Sequence, residues 1–137
     1  LRATFFVSQR VARRMRAGGK GGSIIHISSQ MGHVGGPERS VYCASKFALE
    51  GLTRTMALEL GDAGIRVNTL CPTFIETDLT RPALADPTFC QYVLDNIKLR
   101  RLGRLEDIMG PVVFLASDAA GLITGSALMV DGGWTAT

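Results

Sequence analysis

Tyr42 and Lys46 stand four residues apart, a spacing that on a helix puts both side chains on one face, where a phenol and an ammonium can converge on one ligand. Thirteen residues before Tyr42, Ser29 follows the largely apolar run Ser23-Ile24-Ile25-His26-Ile27-Ser28. Read as a buried strand, that run places Ser29 at a strand's carboxyl end, where open parallel sheets bind their ligands. The glycine-bearing loop between them, with Gly32, Gly35, Gly36 and Pro37, can fold back so that hydroxyl, phenol and ammonium surround one carbonyl or alcohol oxygen. The chemistry such a trio suits is reversible proton transfer to that oxygen. A free phenol ionises near pH 10, so acid–base work near neutrality needs about 4 kcal/mol of electrostatic help. One unit charge about 4 Å away at an effective dielectric of about 20 contributes about 4 kcal/mol, which suits Lys46 to the task. Ser29 supplies a preorganised donor for the substrate oxygen.

The elements that must hold these groups are legible as alternating periodicities. Residues 1 to 17 form an amphipathic helix, with Leu1, Phe5, Ser8, Val11 or Ala12, and Met15 on one stripe and arginines opposite. The glycine-rich segment 18–22 ends it and the strand at 23–28 follows. From Ser40 to Leu60 the apolar positions Val41, Ala44, Ala48, Leu49, Leu52, Met56 and Leu60 recur every three or four residues, predicting a long helix with Ser40 as its N-cap. Gly61 and Gly64 close that helix, and Ile65 to Leu70 reads as a second strand that stops before Pro72. Helix, strand, helix, strand in this order predicts an α/β fold with right-handed crossovers and a parallel sheet. Residues 73–100 form a long excursion of the kind that often serves as a lid, with Asp86-Pro87 as the N-cap and first residue of a short helix. Glu106 and Asp107 open a further helix to about Ser117, for which Pro111 predicts a kink or a late start. Ala127 to Val130 is a short last strand before the turn Asp131-Gly132-Gly133.

Composition narrows the field of function. The 137 residues are 46% hydrophobic and 20% charged, as expected of one globular domain with a core. No apolar run approaches the length of a membrane span, so a soluble, cytoplasmic protein is expected. Cys43, Cys71 and Cys90 are odd in number and lack metal-type spacing, which points to reduced thiols and to neither a disulfide framework nor a metal site. The net charge is only +3 and the basic cluster Arg10, Arg13, Arg14, Arg16, Lys20 has no interleaved aromatics, so it reads as a solvated helix face and no nucleic-acid partner is expected. The chain opens at Leu1, without Met and already within a helix, which suggests an upstream portion.

Taken in order, Ile27-Ser28-Ser29, Tyr42-Cys43-Ala44-Ser45-Lys46, Ile65-Arg66-Val67-Asn68, Pro72 to Thr77, and Val130-Asp131-Gly132-Gly133 resemble the C-terminal motifs of classical short-chain dehydrogenases/reductases, across essentially the whole chain. The resemblance implies the C-terminal, catalytic portion (1–137) of a Rossmann-like doubly wound parallel sheet, with Tyr42 as general acid/base, Lys46 binding ribose hydroxyls and tuning the phenol, and Ser29 holding the substrate oxygen. It implies NAD or NADP as cofactor, met by Tyr42, Lys46, the backbone around Pro72 and Ile75, and Thr77. A small secondary alcohol or ketone is then the substrate, either a sugar or sugar acid or a 3-oxoacyl thioester, with residues 79–100 deciding which. Homo-oligomers, tetramers or dimers, are implied too, through helices 1–17 and 40–60. The resemblance has departures. The glycine-rich dinucleotide fingerprint does not occur, since segment 18–22 follows a helix and precedes a strand, the wrong order for seating phosphate. The family's asparagine would lie just upstream of Leu1. His26 stands where asparagine is common, and Thr73 where glycine usually follows the proline. A catalytically incomplete fragment serving as an assembly or regulatory module is the alternative reading.

Overall fold

The computed structural model describes residues 1–136. Helix α1 (Arg2–Gly18) leads into strand β1 (Gly22–Ile27), helix α2 (Ser40–Leu60) and strand β2 (Ile65–Pro72). The excursion carries α3 (Arg81–Leu84) and α4 (Pro87–Asn96), and the chain continues through α5 (Leu105–Ala116) to β3 (Ala127–Val130). The three strands form one parallel sheet in the order β1-β2-β3, so the α/β class with a parallel sheet read from the alternation, which the resemblance implies to be Rossmann-like, is the class observed. β1 pairs with β2 alone, from Gly22↔Ile65 to Ile27↔Leu70, and its other edge meets no strand among the described residues.

Helices cover both faces. Alternate β residues point to opposite sides, and Ile24, Ile65 and Val67 meet Ala12 of α1 and Met56, Ala57 and Leu60 of α2 in one buried cluster. The opposite face lies under α5, where Ser23 Oγ and Arg66 Nη1 both donate to the Leu115 carbonyl, at 2.8 and 2.9 Å. β2 is the central strand, and Val67, Leu70 and Cys71 are wholly buried, each of the two aliphatics contributing roughly 1.5–3 kcal/mol relative to exposure.

Three local expectations need correction. Ser40 is the first helical residue of α2 and not its cap; Arg39 occupies that position because the Cys43 N–H already closes a helical turn onto the Arg39 carbonyl at 2.7 Å. β2 does not stop before Pro72 but includes it, opposite Val130. Proline is tolerated there because the ladder bond to the Val130 carbonyl comes from the next residue, Thr73 N–H, at 3.2 Å. α5 does not start late, running from Leu105 with Pro111 inside it. One i→i−4 bond is forgone, and the helix start is held instead by Asp107, whose carboxylate accepts from the Arg104 N–H at 2.8 Å and from the Arg101 guanidinium at 2.7 and 2.8 Å. The Asp86-Pro87 reading holds, with Asp86 Oδ1 accepting from Thr88 N–H at 2.9 Å to cap α4.

Candidate active site

β1 ends at Ile27, and the backbone turns at once into a single 3-10 turn, Gln30–Gly32. Ser29 caps that turn: its Oγ accepts from the Met31 N–H at 3.1 Å and donates to Gln30 Oε1 at 2.8 Å. The hydroxyl is thereby fixed in direction at the carboxyl end of β1. Exchanging the Gln30 contact would free its O–H to donate to another acceptor.

Tyr42 and Lys46 lie on the first turns of α2, and the ammonium sits over the phenol ring, 5.5 Å from its centroid. Lys46 Nζ also donates to the Ile27 carbonyl at 2.9 Å, tying the helix face to the end of β1 and leaving two of its three N–H donors for other partners. Ser29 and Tyr42 line one cleft of about 390 Å³ together with Gln30, Arg39, Thr73 and Phe74. Hydroxyl and phenol therefore share a cavity, with the ammonium behind the phenol. Lys46 itself faces a second, open hollow along the unpaired edge of β1.

Of the remaining expected residues, Pro72 ends β2 and lines neither the Ser29–Tyr42 cleft nor the one beside Asp131. Ile75 bridges to Gly103 and borders a cleft of about 480 Å³ beside Asp131, Gly132 and Gly133. Thr77 is engaged locally: its Oγ1 lies 3.1 Å from Thr80 Oγ1, and Thr80 Oγ1 donates to the Ile75 carbonyl at 2.6 Å. A turn built this way aims backbone groups more than it frees the Thr77 hydroxyl.

Thr73, which stands where the family usually has glycine, borders both clefts. Its Oγ1 is buried without a hydrogen-bond partner, and a buried hydroxyl in that state is worth about 1–3 kcal/mol to any ligand that satisfies it. The departure from glycine was the only sequence signal. Gln30 and Arg39 were missed for another reason, since neither belongs to a spacing pattern; they reach the cleft because the loop between β1 and α2 folds back over the strand ends. The excursion contributes Leu79, Thr80 and Ala83 to the lining of the cleft. Its base is anchored by Phe74, Phe89, Tyr92 and Trp134, where Phe74 stacks on Trp134 at 5.7 Å. Gly132 makes the close packing possible: at φ +60° any Cβ there would lie 2.6 Å from Ile97 Cγ2.

Proteins of known sequence and structure share this fold. A family model for enoyl-(acyl carrier protein) reductases matches residues 1–135. The chain is 44% identical to the L-xylulose reductase of Bos taurus over 100% of its own length and 56% of that relative's; it thus spans about half the length of the curated relatives it matches. A 4-hydroxyisoleucine dehydrogenase complexed with NADH superposes with a TM-score of 0.95 at 41% identity, over 100% of this chain and 56% of that one. A gluconate 5-dehydrogenase of Burkholderia cenocepacia, in complex with NADP and tartrate, gives 0.93 at 36%, over 97% and 52%.

Proposed function

The chain belongs to the short-chain dehydrogenase/reductase family, and on that premise we propose that it is the catalytic portion of an NAD(P)-dependent oxidoreductase interconverting a secondary alcohol and a ketone on a sugar or sugar acid. The observation that carries this reading is the shared cleft of Ser29 and Tyr42 with the Lys46 ammonium over the phenol ring. Tyr42 gives its proton to the substrate oxygen in reduction and takes it back in oxidation. Lys46 sets its ammonium over the phenol ring and offers its free N–H donors to ribose hydroxyls. Ser29 holds the substrate oxygen by exchanging its bond to Gln30.

The nicotinamide cofactor supplies and accepts the hydride when bound. The residues present suit it: the unpartnered Thr73 hydroxyl next to Pro72 and the Ile75 backbone offers a polar partner at the junction of the two clefts, and Lys46 has donors to spare. Relatives named for L-xylulose, D-erythrulose and 2-dehydro-3-deoxy-D-gluconate favour polyhydroxylated substrates over 3-oxoacyl thioesters. Among the described residues no helix is long and apolar enough to cross a membrane. A cytoplasmic homo-oligomer using the exposed apolar side chains of α1 and α2, among them Phe6, Val41 and Leu58, completes the reading.

The test is the Tyr42→Phe variant of the intact protein, assayed by NAD(P)H absorbance on ketoses such as L-xylulose and on sugar acids. Turnover should fall by about 10²–10⁴-fold, with cofactor binding and melting temperature retained. Unchanged turnover refutes the assignment.

A further inference from the structure

On the core side of the same strand ends, three side chains from three elements meet. His33 follows the 3-10 turn, Glu50 lies two turns beyond Tyr42 on α2, and Cys71 is in β2. His33 Nε2 is 3.5 Å from Glu50 Oε1, and Cys71 Sγ is 3.6 Å from His33 Nε2 and 3.4 Å from Glu50 Oε1. A tetrahedral ion bound at about 2.3 Å to sulfur and about 2.0–2.2 Å to nitrogen and oxygen spaces its ligands about 3.4–3.6 Å apart. The three separations match those edges. As a hydrogen bond the His33–Glu50 contact is too long, since N–H···O distances cluster between about 2.7 and 3.2 Å.

A second observation points into the same space. Ser28 Oγ is buried and makes no well-formed hydrogen bond, though it stands near enough to the Cys71 thiol to favour that group's ionisation. A Cβ on Gly32 would sit 2.9 Å from that oxygen and 3.3 Å from Glu50 Oε1, so the Ser28 hydroxyl and the carboxylate border one gap. The remaining carboxylate oxygen is already oriented, accepting from Thr69 Oγ1 at 2.9 Å, as the outer partners of metal ligands do. Without a metal the Cys71 thiol stays protonated, pushed up to about 11 chiefly by burial, partly opposed by the Thr69 and Ser28 hydroxyls, with the Glu50 carboxylate raising it further.

We propose that His33, Glu50 and Cys71 bind one zinc-class divalent cation, with Ser28 Oγ, or a water held by it, as the fourth donor. A mixed imidazole, carboxylate and thiolate set in tetrahedral array suits zinc among the common ions. The His33 side chain is 25% exposed and gives the ion a way in. The bound ion clamps the Ser29 loop, the Tyr42–Lys46 helix and β2 to one another, a structural role that stands apart from the oxidoreductase reading and is read without activity.

The test uses the intact protein, stripped with chelator under reducing conditions. Zinc should rebind at one per chain and raise the melting temperature. Cobalt should give a tetrahedral visible spectrum with a thiolate charge-transfer band in the near ultraviolet. Cys71→Ser should abolish that band, Cys90→Ser should leave it unchanged, and His33→Gln should weaken zinc binding by at least about 100-fold, the upper end of what an outer-shell change costs. A stripped, folded parent that takes up no zinc, a cobalt complex without the thiolate band, or parental zinc affinity in His33→Gln each overturns the proposal. The His33 variant changes only a part-exposed loop residue, so it decides the matter even if Cys71→Ser fails to fold.

Discussion

Asn68 offers the sharpest test of how the sheet is held. Its side chain is wholly buried and spans two backbone groups of the loop that brings the chain back to β3: Nδ2 donates to the Ile123 carbonyl at 2.8 Å, and Oδ1 accepts from the Ser126 N–H at 3.0 Å. Asn68→Ala leaves both groups unpaired inside the protein. Each such orphan costs about 1–3 kcal/mol, so a total loss of about 2–6 kcal/mol is expected. A chain of this length is stable by roughly 7–20 kcal/mol, so the variant should still fold, with its melting temperature lowered by about 10 °C. Urea unfolding should show a lower midpoint at an unchanged slope. Asn68→Asp sharpens the argument, because its carboxylate keeps the Ser126 contact but faces the Ile123 carbonyl with a second acceptor. Protonation restores a donor there, so the introduced carboxyl has a folded-state pKa raised above its unfolded value of about 4. The stabilising contact is then fully present below that value and lost as pH rises through the folded pKa. If both variants stay within about 0.5 kcal/mol of the parent, or the Asp and Ala variants differ equally at all pH values, the clamp is not what holds the loop.

Further outcomes can be checked alongside. His26 is buried between Ser8 Oγ at 2.8 Å and Thr53 Oγ1 at 2.7 Å, and burial lowers its pKa, partly opposed by Glu50; a depressed folded pKa means stability is full above about pH 6.5 and declines as pH falls below it, which denaturant midpoints across that range will show. A His26→Gln variant should remove the His26 share of that decline. Phe74→Ala should cost about 2–4 kcal/mol and red-shift the fluorescence of Trp134, the chain's single tryptophan; an unshifted spectrum means the excursion is not anchored there. Lys46→Met should lower turnover of the intact enzyme by at least about 100-fold with little change in melting temperature, and equal turnover would remove Lys46 from the mechanism.

The periodic elements were readable because their patterns are local. The helices at 2–18 and 40–60 and the strands at 22–27, 65–72 and 127–130 all announce themselves through apolar spacing and glycine stops. What was not readable is where polar side chains go inward. The expected apolar stripe of α2 included Val41, which is 84% exposed, whereas the buried face includes Glu50 and Thr53. Those two are satisfied by Thr69 and His26 from other strands, partners that hydropathy along one helix cannot reveal. The same holds for His33, Glu50 and Cys71, which no short spacing links. Tyr42, Lys46 and Ser29 were legible because helical geometry and a strand end suffice to bring them near each other, while Gln30, Arg39 and Thr73 depend on the path of loops.

Tyr42, Lys46 and Glu50 follow one another at four-residue steps down α2, from a phenol at the solvent margin to a carboxylate in the interior. The helix therefore behaves like a keyed shaft whose teeth are cut at fixed angles: adding a single residue between Leu60 and Ile65 should be absorbed by the turn, but adding one between Lys46 and Glu50 rotates everything before it by about 100° relative to everything after. The outer chemistry and the inner anchor would then part company together, so drift in the length of this segment is closed to the protein, even where each residue taken singly could change.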